Sequence, residues 1–317
     1  MGLAMLGAVS QGILWGVMVL GVFITYKLLD IADLTVDGSF ALGGSVCAVL
    51  VVSGVDPVLA IFAAMLAGMI AGAVTGFLHT VFEIPAILAG ILTQIALWSV
   101  NLRIMGKSNT PLLRVDTLFS SVTDATGLPQ NVASIIVGLI FAVLIIVALY
   151  WFFGTEIGSA CRATGNNEAM VRALGVDTKV TKMIALTLSN GLVGLSGGLI
   201  CESQGYADIG MGTGAIVIGL AAIVIGEVLG RLTPGKLRSF GSRLTAAVVG
   251  SVVYFLIRAI VLQLGMDAND MKLISAVIVA LALCIPVVWE KYQLRRAYAR
   301  SAKAAPATPA ANSEGGR

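Results

Sequence analysis

Long apolar stretches separated by a few polar, Gly or Pro positions run through this chain from residue 8 to residue 290. A helix needs about 20 consecutive apolar residues to cross the hydrocarbon core of a bilayer. That rule places spans at 8–28, 57–79, 84–103, 131–154, 180–200, 212–230, 244–264 and 272–290, with a shorter one at 38–53. The pattern therefore predicts an all-α integral membrane protein with about nine transmembrane helices. Residues 1–290 would form the membrane domain, and 291–317 a basic, then Ala/Pro-rich tail expected to be disordered. Gly68, Gly72 and Gly76 recur every fourth residue, a spacing that lets helices approach closely in lipid.

Composition agrees with the pattern. The chain of 317 residues is 58% hydrophobic and 12% charged, with a mean hydropathy of +0.97. A soluble domain carries about 25% charge. The net charge of +3 is small, so the placement of Lys and Arg matters more than their sum. With the N-terminus outside, 15 of them fall on the cytoplasmic side and 4 on the outer side. The positive-inside rule then puts the C-terminus in the cytoplasm. The first stretch has no basic residue before it and is expected to be a retained span rather than a cleaved signal. Cys47, Cys161, Cys201 and Cys284 are scattered, without CxxC or His partners, and support neither a zinc site nor a disulfide framework. The single His79, near the end of a span, reads as a packing or interfacial residue.

Catalytic motifs are missing. "GRLTPGKL" at 230–237 fits G-x4-G-K, but Leu237 stands where a phosphate-binding loop needs Ser or Thr. "GMGTG" at 210–214 lacks the full dinucleotide spacing. No nucleophile–base set and no HExxH occur, so an enzyme is not expected.

Polar residues inside the apolar frame are the remaining candidates. Asp30, Asp33 and Asp37 lie between the first span and the short one, and Asp37 or Ser39 can cap a helix that starts at 38. Two readings stand: an acidic loop, or a broken helix beside a transport path. Thr93, Gln94, Asn101, Asn190 and Glu227 lie within spans, where polar groups usually face the bundle interior. Asp37, Ser39, Thr93, Gln94 and Asn190 are the pathway candidates. Arg231 follows Glu227 by one turn and offers it a local ion pair.

The longest polar stretch in the middle of the chain, "EIGSACRATGNNEAMVRALGVDTKVTK" at 156–182, separates two spans and lies inside by the charge count. Its Gly158, Ala163, Gly165, Asn167, Ala169, Gly175 and Val176 resemble the cytoplasmic loop of permease subunits of bacterial ABC importers. The family is the one that serves branched-chain amino acids, ribose and related sugars. "DLTVDGSFALGG" is similar to the element after that family's first span, with Asp37 as one additional residue before Gly38. The fuller pattern resembles a sub-branch of amino-acid permeases. The resemblance covers roughly residues 10–290 and implies a type II importer permease fold with an inverted repeat.

It also implies partners: a second permease subunit, identical or homologous, two cytoplasmic ABC ATPase subunits and an extracytoplasmic solute-binding protein, in a bacterial inner membrane. No cofactor is expected in this chain, since ATP and magnesium would sit on the ATPase; no nucleic acid and no metal are expected. The loop at 155–180 would be the coupling segment, with a helix over 165–175 presenting Gly165, Asn166, Asn167, Glu168, Ala169, Val171, Arg172 and Gly175. The solute would be small and polar, most naturally an amino acid, aromatic or branched-chain. The alternative is an ion-coupled secondary transporter, which calls for intramembrane carboxylates such as Glu227. A trace of the repeat is read in "ADLTVDGSFA" at 32–41 against "ADIGMGTGA" at 207–215, each before a short span and expected on opposite sides.

Overall fold

The apolar stretches become helices whose ends follow from local chemistry. A computed structural model describes residues 2–113, 115–232 and 239–264, with 273, 275–281, 284 and 291 beyond them. Helix α1 (Gly2–Phe23) continues as a π-helical turn over Ile24–Leu28. It is followed by α2 (Thr35–Val52), α3 (Pro57–Thr80) and α4 (Ala86–Met105). Strand β1 (Asn109–Pro111) and α5 (Leu118–Thr126) lead into α6 (Gln130–Gly154). Two short helices, α7 (Glu156–Asn166) and α8 (Glu168–Ala173), precede α9 (Thr178–Gln204). Strand β2 (Tyr206–Asp208), α10 (Ala215–Leu232) and α11 (Phe240–Gln263) complete the order. Asp56 caps α3 by accepting from the amides of Val58 (2.9 Å) and Leu59 (3.3 Å), with Pro57 in the first turn.

Among the described residues seven helices are long and apolar enough to cross a membrane, and α10 is a shorter apolar helix over Ala215–Gly230. Eight of the nine predicted stretches are thus helical. The ninth, 272–290, lies largely outside the described residues, as do the tail and the "TPGKL" part of the phosphate-loop look-alike. The 103–131 segment holds structure that the apolar pattern does not signal. Thr117 and Ser120 form a capping box for α5, Phe119 is buried, and β1 pairs antiparallel with β2.

The helices form a centre and a periphery. In α1, α2 and α9, 83%, 72% and 83% of the span is buried; in α3, α4, α6 and α11 the share falls to between 28% and 39%. Helix α3 lies on α9 through the predicted glycine stripe. A Cβ on Gly68 would strike the Asn190 carbonyl, and one on Gly72 the Leu186 carbonyl.

Both short spans begin part-way through the bundle. Ser39 meets Asn190, which lies 12 residues into α9, or about 18 Å at 1.5 Å per residue. From that depth α2 runs to the end of the bundle where Cys47 meets Glu202. Helix α10 starts at the same depth, beside Asp37, and runs to the opposite end, where Glu227 meets Lys27. The two similar segments before them also fold alike. Asp33 Oδ1 accepts from the Thr35 amide (2.9 Å), and Asp208 Oδ1 from the Gly210 amide (2.8 Å).

Candidate functional site

The first cluster of interest sits where α2 begins. Asp30, with a φ of +56°, turns the chain back after Leu28. The segment 31–34 then leads into the bundle, with Ala32 exposed and Asp33 buried. Asp33 is buried and caps α2, which starts at Thr35, not at 38 under Asp37 or Ser39. Asp37 is turned instead toward α10: its carboxylate accepts from the amides of Gly214 (2.8 Å) and Ile216 (3.0 Å). Those amides belong to the first turn of a helix with no intrahelical partner for them, so a carboxylate is favoured there.

Ser39 donates to Asn190 Oδ1 (2.7 Å), while Asn190 Nδ2 donates to Asp33 Oδ2 (2.6 Å) and to the Leu186 carbonyl (3.1 Å). Beside this run three hydroxyls in series, Thr35 to Thr75 (2.8 Å) and Thr75 to Thr93 (3.0 Å). Asn101 Nδ2 reaches the Gly38 carbonyl at 3.4 Å. The structure therefore brings Ser39, Thr93 and Asn190 together, adds Asp33, Thr35 and Thr75, and buries all six. Asp37 and Gln94 are partly exposed, and the Gln94 backbone packs on Gly38. A groove of about 430 Å³ between α2, α3 and α4 is lined by apolar residues such as Leu42, Val46, Ile70 and Leu97, with Thr93 as its polar member. The Glu227 carboxylate bonds Lys27 at 2.9 Å, because α10 lies against the end of α1; the Arg231 side chain expected to pair with it lies outside the described residues.

The second cluster lies at the end of the bundle that carries Lys27, Lys179, Lys182 and Arg243. The single helix expected over 165–175 is two helices. Asn167 is extended (φ −157°, ψ 93°) and breaks them, and its Oδ1 accepts from the Met170 amide (3.0 Å) to cap α8. Gly165 does not mark a helix start. It lies inside α7, pressed against the Leu28 carbonyl so closely that any side chain would collide with it. Gly175 does end the segment, at φ +86°, where a side chain would be strained. Helix α8 has six residues, or about 9 Å, shorter than the helix expected over 165–175.

Glu168 ties this helix down. Its carboxylate accepts from Lys182 (2.7 Å), Arg172 (2.8 Å) and Thr178 (3.1 Å). The Lys182 ammonium, helped by Thr178 and Arg172, holds the Glu168 carboxyl below the usual carboxylate range. Thr164 and Thr181 join α7 to α9 at 2.9 Å. Val171, expected on the outer face, is buried, because that side of α8 packs inward. The exposed face instead carries Asn166, Asn167, Ala169, Met170, Arg172 and Leu174, with Met170 53% and Leu174 74% exposed. Met170 and Leu174 are four apart on one helical face, a signal that was available in the sequence.

The profile of the family described as branched-chain amino acid transport system / permease component matches residues 4–284. A tyrosine transport system permease protein of Clostridioides difficile is 38% identical over 274 residues, covering 86% of this chain and 88% of that protein. An uncharacterized protein of Rickettsia prowazekii is 32% identical, covering 87% of this chain and 95% of its own length. The ribose import permease protein RbsC of Escherichia coli is 30% identical over 168 residues, about half of each chain. No solved structure matches the chain.

Proposed function

The chain belongs to the branched-chain amino acid transport system / permease component family, and from that premise we propose that it is the pathway-forming subunit of an ATP-driven importer for an amino acid. It is a multi-pass membrane protein and a transport component rather than an enzyme. The observation that carries the proposal is the face of α7 and α8. Met170, Arg172 and Leu174 stand exposed on a short helix that Glu168 fixes to the span α9. A short helix with an apolar and cationic outer face suits a groove on another protein. Here that protein is a cytoplasmic ATPase, and the end of the bundle carrying Lys27, Lys182 and Arg243 is the cytoplasmic one. The N-terminus is then outside.

Two copies or two homologues enclose the path, with α2 and α10 meeting at mid-depth beside it. A solute-binding protein delivers the solute at the β1–β2 end. ATP and magnesium act on the ATPase. The tyrosine permease relative supports an amino acid as solute.

Asp33, Asp37 and Glu202, at span depth, favour a second reading, ion-coupled transport. Their oxygens are taken by Asn190 and by backbone amides, which weakens it. Uptake of radiolabelled tyrosine, leucine and other amino acids by cells with and without the chain decides between them. The expected result is uptake that needs the chain, stops when ATP is depleted and survives collapse of the proton gradient. Uptake that follows the proton gradient instead would overturn the ATP-driven reading.

A further inference from the structure

A cavity of about 590 Å³ opens at the basic end of the bundle, between the last turn before Leu29, helix α7 and the first turn of α11. Lys27, Arg162 and Arg243 line it, with Ser159 and Asn166 beside them and Phe240 as an apolar wall. The Arg162 guanidinium lies over the Phe240 ring at 5.7 Å and donates from Nη2 to Ser159 Oγ at 3.3 Å. Its Nε is buried without a hydrogen-bond partner among the described residues. The Arg243 guanidinium lies over Phe23 at 5.7 Å. Among the described residues neither arginine has a carboxylate partner, and the one carboxylate nearby, Glu227, is paired with Lys27. Among the described residues three cations therefore converge on one hollow against one anion.

We propose that this cavity binds a phosphate group, carried by an anionic phospholipid headgroup or free in solution. Two arginine guanidiniums that lie over aromatic rings and line one hollow with Lys27 can offer forked donors to phosphate oxygens. The position fits a headgroup. Lys27 ends one span, Arg243 lies in the first turn of another, and α7 begins two residues after α6 ends. Tyr150 and Trp151, exposed near the end of α6, mark the height of the interface where aromatic residues gather. Tyr150 stands against Gly241, next to the cavity wall. Basic pockets between spans at this height are suited to anionic headgroups. A protein partner would be better served by α8, whose exposed Met170, Arg172 and Leu174 do not line the hollow. The proposal does not depend on the solute or on the energy source.

The full chain, purified in detergent and delipidated, is titrated with phosphatidylglycerol, phosphatidylcholine or inorganic phosphate. Thermal unfolding and native mass spectrometry are the readouts. Phosphatidylglycerol is expected to raise the melting temperature and to stay bound, while phosphatidylcholine does neither. Arg162→Gln with Arg243→Gln should weaken that binding about tenfold or more, and Arg162→Lys with Arg243→Lys should retain part of it. An equal shift from inorganic phosphate assigns the site to free phosphate; a shift from the lipid alone assigns it to a headgroup. If the Gln pair does not run as a single species on gel filtration, the Lys pair and the contrast between the two lipids decide. Equal binding of both lipids, or lipid binding unchanged in the Gln pair, overturns the proposal. Loss of ATPase co-purification in the Gln pair with lipid binding intact would assign the arginines to a protein partner and overturn it as well.

Discussion

The junction at the start of α2 and the α7–α8 face are both polar islands in an apolar chain, yet they use their polar groups in opposite ways. At the junction, Asp33, Ser39 and Asn190 are buried and satisfy one another. At α8, Glu168 collects three donors while Met170, Arg172 and Leu174 face outward. Buried polar groups whose bonds are complete hold a structure together. Exposed groups on a fixed frame are available to a partner. The difference separates architecture from interaction, and polarity in the sequence does not.

On the scale of the isolated chain's stability, the largest effect is expected at the junction. Asn190→Leu removes the partners of Asp33 and Ser39 and leaves a buried carboxyl short of a donor, a loss of about 3 kcal/mol. A melting temperature in detergent that does not fall would show that the cluster is not what fixes α2. Asp37→Ala comes next. It leaves two amides of α10 without their acceptor, at about 1–2 kcal/mol. The amides of 214–216 should then exchange hydrogen faster, and unchanged exchange would show that α10 holds its start without α2.

Glu168→Gln should cost under about 1 kcal/mol, since its salt bridges are partly exposed. Glu168 has a lowered carboxyl pKa in the folded chain, so its contribution is present above its ordinary value of 4.5 and fades as the pH falls through the lowered one. The wild type should lose its advantage over the variant on acidification below that value; an advantage that grows there would mean the sign is wrong. Smallest on this scale is Met170→Ala with Leu174→Ala, expected near zero because both side chains are exposed. The same pair should abolish co-purification of the ATPase subunit, since removing interface anchors typically costs about 2 kcal/mol or more each. A destabilised but still associating variant would reverse the comparison.

How far the sequence could be read follows from where each interaction's partner lies. Helices α3 and α4 were legible within two or three residues, because length and hydropathy are local. The glycine stripe at 68, 72 and 76 was legible as a packing face for the same reason. The start of α2 was not. Asp33 and Asp37 are chemically the same residue, and only the arrival of Gly214 and Ile216, far along the chain, assigns one to the cap of α2 and the other to α10. The bond from Lys27 to Glu227 was not legible either, since its partners stand 200 residues apart. The break at Asn167 was missed because the helix-forming residues around it outweighed one residue's capping preference.

Gly165 lies flush against the backbone of Leu28, with no side chain between them. Contact between two backbones leaves nothing soft to compress, since rotamers and long side chains are what absorb small displacements. A displacement of α7 toward the first span would therefore meet that span's end with no side chain to cushion it, in the manner of a strut seated directly on a beam. The first span lies in turn against Ser189 and Ser196 of α9 through its own carbonyls. Any load taken up at the short helices thus reaches the two most deeply enclosed spans at once, and a single added methyl group at residue 165 would change the length of that strut.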